Sequence, residues 1–85
     1  MPEEQVGVVV KFFVKPSVAA IEVTNGSIKK GDLLKYKGHT TDFDEEVTSI
    51  EKDNQVIEEA NVGDLIGIKV KDRVRENDKV YKVVE

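Results

Sequence analysis

Basic side chains are the residues of this chain whose chemistry first suggests a ligand. Residues 11 to 41 hold six lysines against two acids, and residues 69 to 82 hold six basic residues against three acids. Because Lys and Arg bind phosphate, a face on which both segments met would attract RNA. The resulting candidate set for binding RNA or a protein partner is Lys29, Lys30, Lys35, Lys37, His39, Lys69, Lys71, Arg73 and Arg75.

The plainer interpretation of these basic residues is solubility. The net charge of −4 argues against a general affinity for nucleic acid. RNA-binding modules usually add exposed aromatic rings on which bases stack. Tyr36 and Tyr81 are the aromatic residues with a polar tip, and both lie in predicted strands where core packing is equally consistent.

Acidic residues concentrate between positions 42 and 60, where eight acids stand against Lys52 alone. Paired carboxylates perform glycoside hydrolysis, and Glu45-Glu46 and Glu58-Glu59 are such pairs in the sequence. Adjacent residues on a strand point to opposite faces, so we interpret each pair as a solvated rim. The acidic segment is a second candidate surface for a protein partner.

His39 is the single histidine, and the chain has no cysteine. A zinc site needs three or four protein ligands, and no spacing here supplies them. A nucleophile such as Thr40 or Ser49 would need His39 brought to it by folding. We therefore predict no catalytic residue, no metal and no cofactor, and a protein that is not an enzyme.

The composition predicts one all-β domain. Eighty-five residues suffice for a single small domain, which we place at 6 to 85 after a disordered tail at 1 to 5. Val and Ile supply 21 residues and Leu only 3, and β-branched side chains favour strands.

The N-terminus is acidic where a signal peptide is basic, and no apolar run reaches the roughly 20 residues of a membrane helix. We expect a cytoplasmic monomer that does not contact membranes. Its Lys/Glu-rich, cysteine-free composition is typical of thermophile proteins.

Three turns of one kind organise the predicted strands. Gly31-Asp32, Gly63-Asp64 and Asn77-Asp78 each place a residue that tolerates positive φ before an Asp. We expect each Asp side chain to bond the backbone amides just after it. Each turn then starts a strand: 33 to 37, 65 to 70 and 79 to 84.

The first strand is predicted over Val6 to Val14. Its strict alternation places five apolar side chains on one face, namely Val6, Val8, Val10, Phe12 and Val14. Pro16 ends this strand, and a hairpin leads to Val18 to Val23, whose residues Ala19, Ile21 and Val23 face the core.

Between the strands, isolated apolar residues are expected to fill the core. Ile28 should plug one end without forming a strand, and Val74 should anchor the polar loop of residues 72 to 77. Ile66, Ile68 and Val70 should face inward, and Gly67 between them suggests a close backbone approach or a bend.

The segment from Phe43 to Ala60 is ambiguous, because Val47, Ile50 and Ile57 fall at helix-like spacings. An amphipathic helix is the alternative to strands. Because Asp53-Asn54 would interrupt a helix, we favour two short strands, 46 to 51 and 55 to 58, with a bulge that shifts the register between Val47 and Ile50. The whole pattern predicts a small closed antiparallel barrel of six or seven strands.

Five segments, taken in order, resemble the second domain of translational GTPases such as elongation factor Tu and initiation factor two. They are V-G-V-V at Val6, A-A-I-E-V at Ala19, G-S-I-K-K-G-D-L at Gly26, V-T-S-I at Val47 and A-N-V-G-D-L-I-G-I at Ala60. The stretch K-G-H-T-T-D-F at Lys37 is similar to that of stand-alone translation elongation factor-like proteins.

The resemblance implies a Greek-key barrel that docks on RNA or on a ribonucleoprotein. The implied partner is related to the ribosome or to tRNA. The chain lacks the G-x-x-x-x-G-K-[ST] phosphate loop of a GTPase, so we expect no GTP hydrolysis. Similar barrels also serve as accessory domains of other enzymes. The alternative is therefore a protein-interaction barrel that acts as an accessory subunit of a larger enzyme or complex.

Overall fold

Antiparallel strands make up the fold, and the computed structural model describes residues 3 to 83. Within this range there are ten strands and no helix, which confirms the all-β prediction. The strands are β1 (Glu3–Phe13), β2 (Val18–Val23), β3 (Ser27–Lys29), β4 (Leu33–Lys37), β5 (Asp42–Glu46), β6 (Ile50–Lys52), β7 (Gln55–Ile57), β8 (Glu59–Asn61), β9 (Leu65–Lys69) and β10 (Lys79–Val83). The predicted count of six or seven was too low, because four strands have only three residues each.

Eight of these strands form one sheet in the order β5-β4-β10-β1-β2-β9-β6-β7, and β3 pairs with β8 in a separate ribbon. The predicted hairpin between β1 and β2 is confirmed by their antiparallel pairing. The inner faces enclose a single core of buried apolar side chains. The inward residues predicted for β2 and β9 lie in it, as do Ile28 and Val74. Ile28 lies in a strand of the ribbon rather than in the loop that the sequence suggested.

The inward face predicted for β1 was wrong beyond Val6. Val6 and Val9 carry the buried apolar side chains of the first strand, while Val10 and Val14 are 44% and 67% exposed. The pairing of β1 shifts register between Gln5 and Gly7 and again between Val9 and Lys11. A bulge places two residues opposite one and thereby changes which side chains face inward. Val8 and Phe12 are consequently only half-buried.

β1 also begins at Glu3, earlier than the sequence analysis places it. Its first residues pair with β10, Glu3 opposite Val83 and Gln5 opposite Tyr81. The predicted tail positions 1 and 2, and position 84 of the last predicted strand, lie outside the described residues.

The ambiguous segment contains strands and no helix. The predicted strand from 46 to 51 was wrong, because β5 ends at Glu46 and β6 begins at Ile50. Asp53 and Asn54 form the turn between β6 and β7 with φ of 53° and 65°. Two consecutive positive φ values are the requirement of a type I′ hairpin turn.

The three predicted turns share one geometry. Gly31, Gly63 and Asn77 have φ of 96°, 94° and 71°, as expected for residues that tolerate the left-handed region. The predicted direction of the Asp hydrogen bonds was wrong. Each carboxylate accepts from the amide three residues before it: Asp32 from Lys29 at 2.8 Å, Asp64 from Asn61 at 2.9 Å and Asp78 from Arg75 at 2.8 Å.

Each turn also clasps the backbone of one buried valine. Val47 donates its amide to the Asp32 carbonyl and accepts from the Gly31 amide, both at 2.8 Å. Val23 makes the same pair of bonds with Asp64 and Gly63, both at 2.9 Å, and Val9 with Asp78 and Asn77, both at 2.8 Å. We call these three units the turn-valine clasps.

Candidate functional site

The outer face of β4 carries two of the predicted basic residues. Lys35 and Lys37 point outward because Leu34 and Tyr36, which alternate with them, fill the core. The Nζ atoms of Lys35 and Lys37 lie 2.8 and 3.3 Å from the two carboxylate oxygens of Glu3. The hydrogen bond from Lys35 lowers the pKa of Glu3, and the same bond raises the pKa of Lys35.

Further acids adjoin this pair on the neighbouring strand. Asp42 lies opposite Lys37 and Asp44 opposite Lys35 in the pairing of β4 with β5. Cross-strand neighbours of opposite charge attract each other. The two lysines therefore belong to a mixed surface of both signs, and their charge is largely matched.

Three other predicted basic residues lie elsewhere on the molecule. The Lys29 Nζ is 3.9 Å from a Glu59 carboxylate oxygen, and the Lys30 amide donates to the Glu58 carbonyl. Lys69 lies on β9 opposite Val18. These three residues line none of the grooves described below, so the structure does not gather the whole predicted basic set on one face.

The loop that follows β9 carries the remaining predicted Lys and Arg residues: Lys71, Arg73 and Arg75. The Lys71 amide donates to the Glu45 carboxylate at 2.9 Å, and the Lys71 Nζ lies 6.0 Å from the centroid of the Phe43 ring. The Arg75 Nε donates to the Thr40 hydroxyl at 2.9 Å. These contacts attach the loop to β5 and to the turn between β4 and β5.

A groove of about 390 Å³ lies between this loop and β1. Arg73 and Arg75 form one side of the groove, Lys11 and Phe12 lie on the other, and Glu76 is a lining residue too. Buried Val74 holds the loop against the core, so the flanking arginines project outward. Three cations against one carboxylate make this groove basic.

A second groove, of about 450 Å³, shares Glu76 with the first one. Lys37, His39 and Lys79 line it, together with the turn at Asn77 and Asp78. The two grooves form one rim that unites four predicted residues: Lys37, His39, Arg73 and Arg75.

Sequence reasoning missed Lys11 and Lys79 at this rim. Lys79 lies beside Lys37 because β10 pairs with β4, and Lys11 reaches the rim because β1 is bulged. Both placements follow from strand register, which the spacing along the chain does not encode.

The two tyrosines differ in their surroundings. Tyr36 is buried and stacks on Phe43 with ring centroids 5.0 Å apart, so it is not free to stack on a base. Burial, with a smaller contribution from Glu45, raises its pKa well above the usual value. Tyr81 is half-buried, and the Lys37 Nζ lies 5.5 Å from its ring centroid.

A third groove, of about 550 Å³, lies on the opposite half of the sheet. Its lining is mainly apolar and includes Phe13, Val18, Ala20 and Leu65. Gly67 lies in its floor, where an added Cβ would be 3.2 Å from Val18 Cγ1. This neighbour is a side-chain methyl group, so the tight spacing at Gly67 differs from the close backbone approach that the sequence suggested.

Two kinds of feature are absent from residues 3 to 83. No group of three or more His, Asp or Glu side chains is placed to hold a metal ion. The same residues contain no helix with the length and hydrophobicity needed to cross a bilayer.

Comparison with known families and proteins gives matches over nearly the whole chain. The family model described as elongation factor Tu domain 4 matches residues 4 to 81. An uncharacterized protease of Methanocaldococcus jannaschii is 39% identical over 82 residues, which are 95% of this chain and 20% of that protein. A collagenase of Porphyromonas gingivalis is 36% identical over 91% of this chain and 22% of the collagenase. The chain thus spans about a fifth of the length of these relatives.

Solved structures share the fold. The C-terminal domain of a protein described as a U32 peptidase from Geobacillus thermoleovorans superposes with a TM-score of 0.85 at 16% identity, covering 91% of this chain and 96% of the domain. GDP-bound aIF5B from Aeropyrum pernix superposes with a TM-score of 0.66 at 20% identity, covering 98% of this chain and 14% of aIF5B.

Proposed function

The chain belongs to the elongation factor Tu domain 4 family, and from this premise we propose that it is a non-enzymatic accessory domain of a larger, peptidase-like protein or complex. The observation that carries the proposal is the match to one complete domain. The chain and the Geobacillus C-terminal domain cover each other almost end to end, while the protease and collagenase relatives are about five times longer.

In this role the chain binds the larger protein, and the larger protein carries out the chemical reaction. Thr40, which the sequence offered as a nucleophile, already accepts a hydrogen bond from Arg75. His39 lines an open groove beside the turn at Asn77 and Asp78. We also propose that the protein is located in the cytoplasm.

The acidic strand β5 is the surface that we assign to the partner protein. It lies at one edge of the eight-stranded sheet. Its outward residues Asp42, Asp44 and Glu46 are exposed. Charges on an edge strand oppose strand-to-strand pairing, so the partner would bind through side chains. A basic surface on the partner complements this edge.

We further propose that the ribbon closes the sheet into the barrel expected from the resemblance. The Lys30 amide donates to the Glu58 carbonyl, and Gly31 bonds Val47 just beyond the end of β5. These bonds link the ribbon to the segments at both ends of the sheet order.

Binding to a relative tests the accessory role. The Methanocaldococcus protease without its matching segment is titrated with this chain in a calorimeter, and we expect binding. The variant D42N/D44N/E46Q should weaken it about tenfold, since exposed charges steer and orient association. The control E22Q/E51Q/D53N makes the same change in net charge away from β5 and should bind normally. Absence of binding by the unmodified chain would contradict the proposal.

RNA docking at the basic rim is a second candidate function, favoured by the groove between Lys11, Arg73 and Arg75. Binding of a short single-stranded RNA should fall steeply between about 50 and about 200 mM salt. The variant R73Q/R75Q should lower the salt slope by about 2, whereas K29Q/K30Q, at the other end of the molecule, should not. Equal losses in both variants would argue against a site at the rim.

A further inference from the structure

The groove on the outer face of β2 and β9 has a mainly apolar lining. Phe13 and Leu65 line it and are 44% and 56% exposed. Val56, the cross-strand neighbour of the lining residue Glu51, is 71% exposed. Large apolar side chains gathered on one face indicate an interaction surface.

The shape of this face follows from two small residues at its middle. Ala20 and Gly67 are direct neighbours in the pairing of β2 with β9. Val18 precedes this pair along β2, and Leu65 precedes it along β9 toward the other end. The groove is deepest at Ala20 and Gly67, where the side chains are small, and shallower toward Val18 and Leu65. This shape suits apolar side chains of a binding partner.

The charged residues that line the groove lie on its opposite sides: Glu51 pairs with Gly67 beside the middle of the groove, while Lys15 and Asp53 lie toward its two ends. Lys15 is in the turn that follows β1, whereas Glu51 and Asp53 lie on β6 and in the turn that follows it. The strands β1, β2, β9 and β6 are consecutive in the sheet and antiparallel to their neighbours. The turn after β1 and the turn after β6 therefore lie at opposite ends of the sheet as well as on opposite sides of the groove.

We propose that this face binds a second copy of the same chain in a symmetric dimer. A two-fold axis that lies in the face and crosses it near Ala20 and Gly67 places Lys15 of each copy against the acidic side of its partner. Glu51 and Asp53 form this acidic side. The apolar walls of both copies then meet at the centre. The face is thus complementary to itself in charge and in character, as a two-fold interface requires.

This proposal departs from the monomer expected from the sequence and is independent of the accessory role. The contact is small and shallow, so a reversible dimer is expected rather than a permanent one. The apolar centre supplies most of the affinity, and the two ion pairs fix the orientation of the copies.

Sedimentation equilibrium over a wide range of protein concentration tests the proposal with a charge swap. The unmodified chain should show a reversible monomer-dimer equilibrium. K15E and E51K should each raise the dissociation constant about tenfold, because attraction becomes repulsion at two symmetric places. The double variant K15E/E51K should recover affinity, since the swapped charges again face each other. Glu51 is preferred to Asp53 for reversal because Asp53 has φ of 53°, which Lys tolerates poorly.

Two further variants locate the contact. L65D should abolish dimerisation, whereas V62D, at a residue of similar exposure outside the groove, should not. Circular dichroism confirms that each variant is folded. A chain that stays monomeric at every concentration would overturn the proposal. Dimerisation that the double charge swap fails to recover would place the contact on another face and overturn it as well.

Discussion

At the scale of single residues, Gly38 and Asp78 depend on each other. A Cβ built on Gly38 would overlap the Asp78 carboxylate. That carboxylate is buried and accepts a hydrogen bond from the Arg75 amide, so it cannot move away freely. Glycine is therefore required at position 38 by contact with a distant turn.

We expect Gly38→Ala to destabilise the protein by about 1 to 3 kcal/mol, as overpacking of a fixed site does. Chemical denaturation followed by circular dichroism measures the change. Asp78→Ala alone should cost a similar amount through its lost buried hydrogen bond. The double variant G38A/D78A should lose clearly less stability than the sum of the two single variants. The reason is that Asp78→Ala removes the carboxylate with which the Cβ of Ala at position 38 would overlap. Additive costs would show that the two residues are not coupled.

At the scale of elements, we expect the turn that contains Asp64 to lose stability in acid, because its carboxylate must be charged to make its hydrogen bonds. The Asn61 amide, and then the Lys52 ammonium at 2.9 Å, hold the pKa of Asp64 below its usual value of 3.8. A carboxylate with a lowered folded pKa adds stability above its unfolded pKa, and this stability is lost as the pH falls through the folded pKa.

The prediction is that Asp64→Asn flattens the acid side of the stability profile. Urea midpoints between about pH 7 and about pH 2 should fall less steeply below about pH 4 in this variant than in the unmodified chain. Glu3, whose pKa is also lowered, still titrates in both proteins. Parallel profiles for the two proteins would contradict the assignment. Asp53→Asn, a change in an exposed turn, serves as the control.

The ribbon of β3 and β8 is short but central to the core. Ile28 and Ala60 are direct partners in it, and both are fully buried. We expect Ile28→Ala to cost about 2 to 4 kcal/mol, since it leaves a cavity in a packed interior. Val62→Ala, in the turn after β8, should change stability by less than about 0.5 kcal/mol. Equal effects in denaturation experiments would show that the ribbon does not support the core.

At the scale of the whole molecule, the sequence predicts the fold class but not the strand register. The alternation of apolar and polar residues predicts the buried side chains of β2 and β9 correctly: Ile21 and Ile68 are buried as expected. It fails in β1, because Val and Phe occupy both faces, so the alternation does not reveal the two bulges. The strand from 46 to 51 fails for a related reason: Val47 bonds a turn instead of a neighbouring strand.

The candidate site was predictable only in part. Residue type and loop position were enough to select Arg73, Arg75 and His39, which share the basic rim. Charge counts along the chain also grouped Lys29 and Lys35 with them, although these residues have acidic neighbours of their own. Which charges neutralise each other depends on pairings between distant strands, and composition carries no information on those.

The three turn-valine clasps have a consequence for the order of folding. The clasp joining 31 to 47 lies within the one joining 23 to 63, which lies within the one joining 9 to 77. Loop closure costs more entropy as the loop lengthens, and each inner closure shortens the loop that the next must form. We expect assembly from the inside outward, so pulse-labelled hydrogen exchange during refolding should protect the Val47 amide before the Val23 amide, and the Val9 amide last.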